Sequence, residues 1–254
     1  MKVDYNNISE TYDNHRSYGH SEIMQLIGFG EIEAKTKILD LGCGTGNLSS
    51  QLLECVPVDS VGIDKSLHML NKANKKSLRV LCGDADHSIL PFKDNSFDLV
   101  IGAFVIHHIK NTRALIRECY RILNNGALII ITSSHVQIEN LHPVLRNFFP
   151  SLVELDKKRF PKLTELDALY QSAGFKSIKH KELVINRIPI DMDYLDKVKS
   201  KYVSTFHLLS EDEFKAGVEK LEGFITSHSE PVYREWRGTM IYGKKQRVFF
   251  PDMF

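Results

Sequence analysis

Short apolar runs alternate with amphipathic stretches over the first half of the chain. Lys37–Leu41, Ser60–Ile63, Leu78–Cys82, Phe97–Gly102 and Ala127–Thr132 are compact and mostly apolar, the pattern of strands covered on both faces. Between them, Asn47–Glu54, Ser66–Lys75 and Thr112–Leu123 read as helices. In the last of these, Ala114, Leu115, Cys119, Ile122 and Leu123 recur at helical spacing, and Asn124–Asn125–Gly126 offers a stop before the next strand. Such alternation builds βαβ units around a parallel sheet.

The rhythm changes after Thr132. Residues 135–163 carry Pro143, Pro150 and Pro161 among mixed aromatics, which predicts an excursion of loop and helix. Thr164–Ala173 reads as a helix closed by Gly174, and strands follow at Ser177–Ile185 and around Thr239–Tyr242. A mostly helical insertion of about Met192–His228 separates those strands, with a capping-box start at Ser210–Glu213. The simplest organisation is one domain over 1–254, with insertions at 135–163 and 187–230.

Composition narrows the class. The 254 residues carry 33 Lys and Arg against 32 Asp and Glu, a net charge of +1. Proteins that coat nucleic acid or anionic membranes carry a basic excess this chain lacks. The basic clusters Lys72–Lys75–Lys76, Lys157–Lys158–Arg159 and Lys244–Lys245–Arg247 read as solvated faces. Cys43, Cys55, Cys82 and Cys119 are scattered without a C-x-x-C pair or zinc-ligand spacing, so no metal is expected and the thiols read as reduced and mostly buried. The N-terminus is polar and no apolar stretch could span a bilayer, which fits a soluble, cytoplasmic protein.

Candidate chemistry begins at Ile38–Leu39–Asp40–Leu41–Gly42–Cys43–Gly44–Thr45–Gly46, where a strand runs into three alternating glycines and then a helix. A bare strand-to-helix turn needs only one glycine; three permit close approach of a ligand to backbone. The dinucleotide fingerprint G-x-G-x-x-G fails here, because Asn47 stands at its third glycine. A nicotinamide-dependent oxidoreductase is therefore the weaker reading. A loop after an acidic strand end suits a ligand with an amino-acid moiety, whose ammonium Asp40 could accept directly or through water. Asp64 ends the second strand about 20 residues on, where a carboxylate takes ribose hydroxyls; the same residue also suits a helix N-cap. Asp84, after the third strand, could accept from an adenine amino group.

These residues, with Gly83–Asp84–Ala85, Leu90–Pro91–Phe92, Ser96–Phe97–Asp98–Leu99–Val100 and His107–His108–Ile109, resemble the class I S-adenosylmethionine-dependent methyltransferases, and among them the small-molecule and quinone-type group. The resemblance covers about residues 1–132. It implies a doubly wound α/β fold whose seven-stranded sheet runs 3-2-1-4-5-7-6 with the last strand antiparallel. It implies that Asp40, Gly42, Cys43 and Gly44 hold the methionine portion of S-adenosylmethionine. Asp64, with Lys65 beside it, would take the ribose, while Met69, Asp84 and Ala85 would take the adenine. Ala103 and Phe104 would flank the sulfonium. Residues 1–30 resemble the family's helical lid, with Tyr5, Tyr12, Asp13 and Arg16, the last able to pair with the methionine carboxylate. Gly102–Ala103–Phe104–Val105 stands where nucleic-acid amino methyltransferases carry an Asn/Asp-Pro-Pro-Tyr/Phe run, which argues against a DNA substrate.

Methyl transfer is an in-line displacement that needs positioning more than a covalent nucleophile. His108 and then His107 are the expected substrate-orienting groups or bases, although a local backbone or capping role fits them equally. His135 is a secondary candidate, His142, His207 and His228 lie in the excursions, and Tyr202, Phe206 and His207 could line a substrate pocket. The expected function is methylation of a small organic acceptor at O, N or C. The alternatives are a tRNA or protein substrate, or a protein that binds the nucleoside without turnover.

Overall fold

A computed structural model describes residues 18–87 and 89–246. In chain order the elements are α1 (His20–Gly30), β1 (Lys37–Leu41), α2 (Asn47–Cys55), β2 (Asp59–Asp64), α3 (Leu67–Lys75), β3 (Val80–Cys82), β4 (Phe97–Ala103), α4 (Thr112–Ile122) and β5 (Leu123–Thr132). Then come α5 (His135–Glu139), α6 (Pro143–Phe148), α7 (Ser151–Arg159), α8 (Leu163–Ala173), β6 (Lys176–Pro189), α9 (Met192–Lys199), α10 (Glu211–Ser227) and β7 (Tyr233–Lys244). Short 3₁₀ turns stand at Ile106–His108 and Ser204–Leu208. The seven strands form one sheet of order β3-β2-β1-β4-β5-β7-β6, with β7 antiparallel to both neighbours, as the resemblance implied.

Alternate residues of the parallel strands feed opposite faces. Leu39, Leu41 and Val100 meet Leu115, Ile116 and Cys119 of α4 and Leu166 and Tyr170 of α8 on one face. Ile38, Leu99 and Ile129 meet Ile23 and Leu26 of α1 and Leu48 and Leu52 of α2 on the other. The expected lid therefore divides: residues 20–30 form α1 against the sheet, while Tyr5, Tyr12, Asp13 and Arg16 lie outside the described residues. Because β1, β2, β3 and β4 are parallel, the glycine loop, Asp64, Gly83–Ala85 and Ala103–Phe104 all emerge at one edge of the sheet. That edge is where ligands bind in open α/β folds.

Several local expectations need correction. Asn124–Asn125–Gly126 is not a helix stop but part of β5, where the register against β4 shifts between Phe97 and Leu99. A Cβ on Gly126 would stand 1.9 Å from the Asp98 carbonyl oxygen, so only glycine lets the two strands approach there. Cysteine burial is also narrower than expected. Cys119 is buried, with its thiol pushed up to about 12 by desolvation, but Cys43 and Cys55 are half-buried and Cys82 is exposed. Cys82 ends β3, which pairs with β2 alone, so its apolar sequence faces a sheet edge and not a core.

The basic clusters do more than meet solvent. Lys76 Nζ donates to the Thr45 carbonyl at 2.9 Å, and Lys245 Nζ donates to the Tyr120 and Leu123 carbonyls at 2.8 and 2.7 Å. Arg159 donates to Thr205 Oγ1 and Ser204 Oγ, each at 2.8 Å, while Arg247 lies outside the described residues.

The two excursions make a third core of their own. Leu145, Phe149 and Leu152 of α6–α7 pack against Tyr194, Leu195 and Val198 of α9, Phe206, and Phe214 and Leu221 of α10. Ser210 caps α10 by accepting the Glu213 N–H at 3.2 Å, but the Glu213 carboxylate does not close the expected box. It accepts the Ser151 N–H at 2.8 Å instead, and so caps α7 and joins the two insertions. Both flanking strands run longer than their apolar cores. Tyr233–Gly238 of β7 pairs only with β6, making a two-stranded extension that carries Arg234 and Trp236 on its inward positions.

Candidate active site

One pocket lies at the carboxyl edge of β1–β4. Gly42, Gly44, Asp64, Lys65, Met69, Asp84, Ala85, Ala103, Phe104, His107 and His108 line it, all of them predicted, together with Ser66, Gly83, Val105 and Ile109. Asp64 organises its floor. Its Oδ2 accepts the Gly44 N–H at 2.9 Å and its Oδ1 accepts the Ser66 N–H at 2.8 Å. Each oxygen keeps a lone pair for a further donor. Burial raises the Asp64 pKa above its ordinary value, against the lowering effect of those two N–H donors.

Asp40 and Cys43 do not line this pocket. Asp40 sits in β1 at 3% exposure, and its Oδ2 accepts from Ser49 Oγ at 2.6 Å. Desolvation raises its pKa to about 6, with the Ser49 hydrogen bond opposing and the nearby Asp64 charge adding. The Cys43 thiol is likewise pushed up by burial, and a Cβ at Gly62 would fall 2.6 Å from its sulfur. Among the described residues neither acid has a salt-bridge partner.

The pocket suits an adenosyl ligand on its own chemistry. Two strand-end carboxylates face apolar walls from Met69, Ala85, Ala103 and Ile109. Gly44 has φ +55, and the place its Cβ would occupy is open, so ligand atoms can approach the backbone there. Buried Asp40 and half-buried Asp64, whose pKa values are both raised by desolvation, favour a cationic guest over a phosphate-bearing one.

A second cavity of about 750 Å³ adjoins it, beneath the two insertions and the β6–β7 extension. Phe104 and His107 line both spaces. Phe104 has φ +51, an unusual backbone for a bulky residue, and its ring lies 5.0 Å from that of Trp236. His107 stacks on Phe160 with ring centroids 4.0 Å apart, whereas His108 lines the strand-edge pocket alone. Both rings border the strand-edge pocket, with centroids 4.0 Å apart, and of the two only His107 also lines the second cavity.

Tyr202, Phe206 and His142 line the second cavity; His135 and His207 do not. Their ring nitrogens lie 2.8 Å from the Phe160 carbonyl and 2.9 Å from the Lys201 carbonyl, respectively. Sequence reasoning missed Arg234 and Trp236, although the alternation in Tyr233–Arg234–Glu235–Trp236–Arg237 marks them as one face of a strand.

A family profile described as a methyltransferase domain matches residues 39–131, the segment holding β1–β5 and the whole strand-edge pocket. The chain thus carries a methyltransferase domain over residues 39–131. It is similar to the demethylmenaquinone methyltransferase of Lactiplantibacillus plantarum, 27% identical over 192 residues, covering 65% of this chain and 78% of that one. It is similar as well to phosphoethanolamine N-methyltransferase 3 of Arabidopsis thaliana, 26% identical over 192 residues and 72% of this chain. The chain spans only 38% of the plant enzyme's length. Among solved structures, a protein described as a methyltransferase of an antibiotic biosynthesis pathway in Anabaena variabilis matches with TM-score 0.68 at 21% identity, covering 88% of this chain and 96% of that one. At that identity the likeness concerns the fold. Among the described residues, no helix is long and apolar enough to cross a membrane.

Proposed function

We propose that this protein is an S-adenosylmethionine-dependent methyltransferase that methylates a small organic acceptor held in the 750 Å³ cavity, with the methyl donor lying along the strand-edge pocket. The observation that carries the reading is the shared wall: Phe104 and His107 are the only two side chains lining both spaces among the described residues. A nucleophile reaching past them from the cavity would meet the donor end-on, which in-line displacement requires.

In this reading Asp64 accepts the ribose hydroxyls and Asp84 the adenine amino group, while Met69 and Ala85 pack on the adenine and Lys65 borders it. Gly42 and Gly44 let the methionine portion lie against backbone. Asp40 acts from beneath the loop, its charge favouring the cationic ligand without direct contact, and Cys43 packs the loop from below. Arg16 keeps its expected place at the methionine carboxylate as a proposal, since it lies outside the described residues. The bound cofactor supplies an electrophilic methyl group on sulfonium. His107, held by its stack on Phe160, orients the acceptor or takes its proton, and Phe104 with Trp236 excludes water. His108 borders the donor.

The cavity walls support a small acceptor over a tRNA or protein: they come from five separate stretches, 104–107, 133–160, 182–187, 202–206 and 233–239. The test is calorimetric titration with S-adenosylmethionine and S-adenosylhomocysteine, followed by transfer of labelled methyl to a panel of small acceptors. Micromolar binding and transfer to at least one acceptor are expected. Binding without transfer to any small molecule, alongside transfer to bulk tRNA or protein, would overturn the acceptor class.

A further inference from the structure

Arg234 is buried at 8% exposure in the wall of the acceptor cavity, and among the described residues no carboxylate pairs with it. Its Nη1 donates to Tyr194 Oη at 2.9 Å and to Tyr202 Oη at 2.6 Å. Its Nε is buried with no hydrogen-bond partner. Nε and Nη2 form one edge of the guanidinium, and two parallel N–H donors along such an edge match the two oxygens of a carboxylate or phosphate.

The Tyr194 ring lies under the guanidinium, 5.6 Å from its carbon, but the described surroundings supply no anion. Burial pushes the Tyr194 phenol well above its ordinary value, so it supplies no phenolate. His142, in the same cavity, has its imidazole pKa lowered by burial and by Arg234 itself. The acids nearby are engaged elsewhere. Asp156 accepts from Thr205 Oγ1 at 2.6 Å and lies 3.4 Å from Arg159 Nη1. Glu182 and Glu235 pair with Arg237 at the exposed mouth, at 3.0 and 2.7 Å. A buried cation without a counter-ion is costly, and structures normally supply one.

We infer that Arg234 is the anion-binding group of the acceptor site, and that the acceptor is a small molecule joining an apolar body to a carboxylate or phosphate monoester. Leu145, Phe206 and Trp236 line the same cavity and suit the apolar body. The inference rests on the methyl-transfer reading only in calling the guest an acceptor; the anion site stands on its own geometry.

The protein is titrated, with and without saturating S-adenosylhomocysteine, with benzoate, phenyl phosphate and neutral benzamide. Trp236 is the chain's only tryptophan and lines the cavity, so its fluorescence reports occupancy. Saturable binding of benzoate or phenyl phosphate is expected, at least tenfold tighter than benzamide. Tighter benzoate assigns a carboxylate, and tighter phenyl phosphate a phosphate monoester. Arg234→Gln should weaken the anion at least tenfold and Arg234→Lys less, with S-adenosylhomocysteine affinity within about twofold in both. Benzamide binding as tightly as the anions, Arg234→Gln binding them like the unaltered protein, or binding of none of the three would overturn the inference. If Arg234→Gln does not fold, the benzamide comparison decides alone. Anion binding without nucleoside binding would sink the methyl-transfer reading and keep the anion site; the reverse would sink this inference alone.

Discussion

The two halves of the site are opposite in charge and in construction. On the donor side of Phe104, Asp40 is buried and Asp64 half-buried, both carboxylates have raised pKa values, and neither has a salt-bridge partner among the described residues. On the acceptor side, Arg234 is a buried guanidinium with no carboxylate. The donor half is made of strand ends and backbone from one continuous stretch, residues 42–109. The acceptor half is assembled from helices and a two-stranded extension spread over residues 133–239. Each half stores an unfavourable charge that a guest of opposite sign would relieve. In the proposed reading the sheet edge takes the methyl donor and the insertions hold the acceptor.

The largest expected effect breaks the donor half. Asp64→Ala removes a carboxylate that fixes the Gly44 and Ser66 N–H groups as well as any acceptor for ribose hydroxyls. Loss of charge-assisted hydrogen bonds of this kind costs about 2–4 kcal/mol, or about 30- to 1,000-fold in affinity for S-adenosylhomocysteine. Calorimetry of the folded variant measures it. Affinity within threefold of the unaltered protein would mean that Asp64 serves only as a loop brace.

Asp40 gives a smaller, pH-dependent effect. Its folded pKa, about 6, lies above the usual carboxylate value of 3.8. The folded state therefore holds this proton more tightly than the unfolded state. Its contribution to stability is full below about pH 4 and is lost as pH rises through about 6. At about 1.4 kcal/mol per pH unit, ionised Asp40 costs up to about 3 kcal/mol at pH 7.5. Asp40→Asn keeps an acceptor for Ser49 and should raise stability by about 1–3 kcal/mol at pH 7.5, with no difference near pH 4. Urea denaturation at the two pH values reads this. The same linkage predicts that affinity for cationic S-adenosylmethionine falls as pH drops through 6, and that Asp40→Asn flattens that slope. A pH-independent affinity in the unaltered protein would remove Asp40 from the donor site.

The contrast between the halves also explains what the sequence disclosed. Leu39, Ile63 and Val100 are covered on both faces, so their strands stand out as apolar runs, and parallel pairing then sets Gly44, Asp64 and Asp84 on one edge. The Tyr233–Gly238 extension pairs with only one neighbour and alternates buried Arg234 with exposed Glu235 and Arg237. No apolar run marks it, and Arg234 gains meaning only beside Tyr194 and Tyr202, about 30 to 40 positions away. Asp40 was legible as an acid but not as one turned beneath the loop, because Ser49, which donates to it, and Ser60, which meets Ser49, look like ordinary helix and strand residues. Glu213 is a similar case. Its spacing from Ser210 spells a local capping box, yet its carboxylate answers a donor 62 positions away.

That bond offers the mildest and most selective test of the comparison. Glu213→Ala leaves the Ser210 cap on α10 intact but strips the acceptor from the Ser151 N–H at the start of α7. Losing a cap of this kind costs about 1 kcal/mol. If the insertions are a cooperative unit apart from the sheet, that loss should appear as faster amide hydrogen exchange across α6, α7, α9 and α10, which share one core. Exchange in β1, β4 and β5 should not change, and S-adenosylhomocysteine should bind within about twofold of normal. The apparent KM for an acceptor should rise, because the cavity wall formed by Leu145, Leu152 and Phe206 is drawn from that same core. Uniform acceleration of exchange through both regions would instead mean that donor edge and acceptor cap unfold together, and that the division of the site into a rigid half and a separable half has no energetic basis.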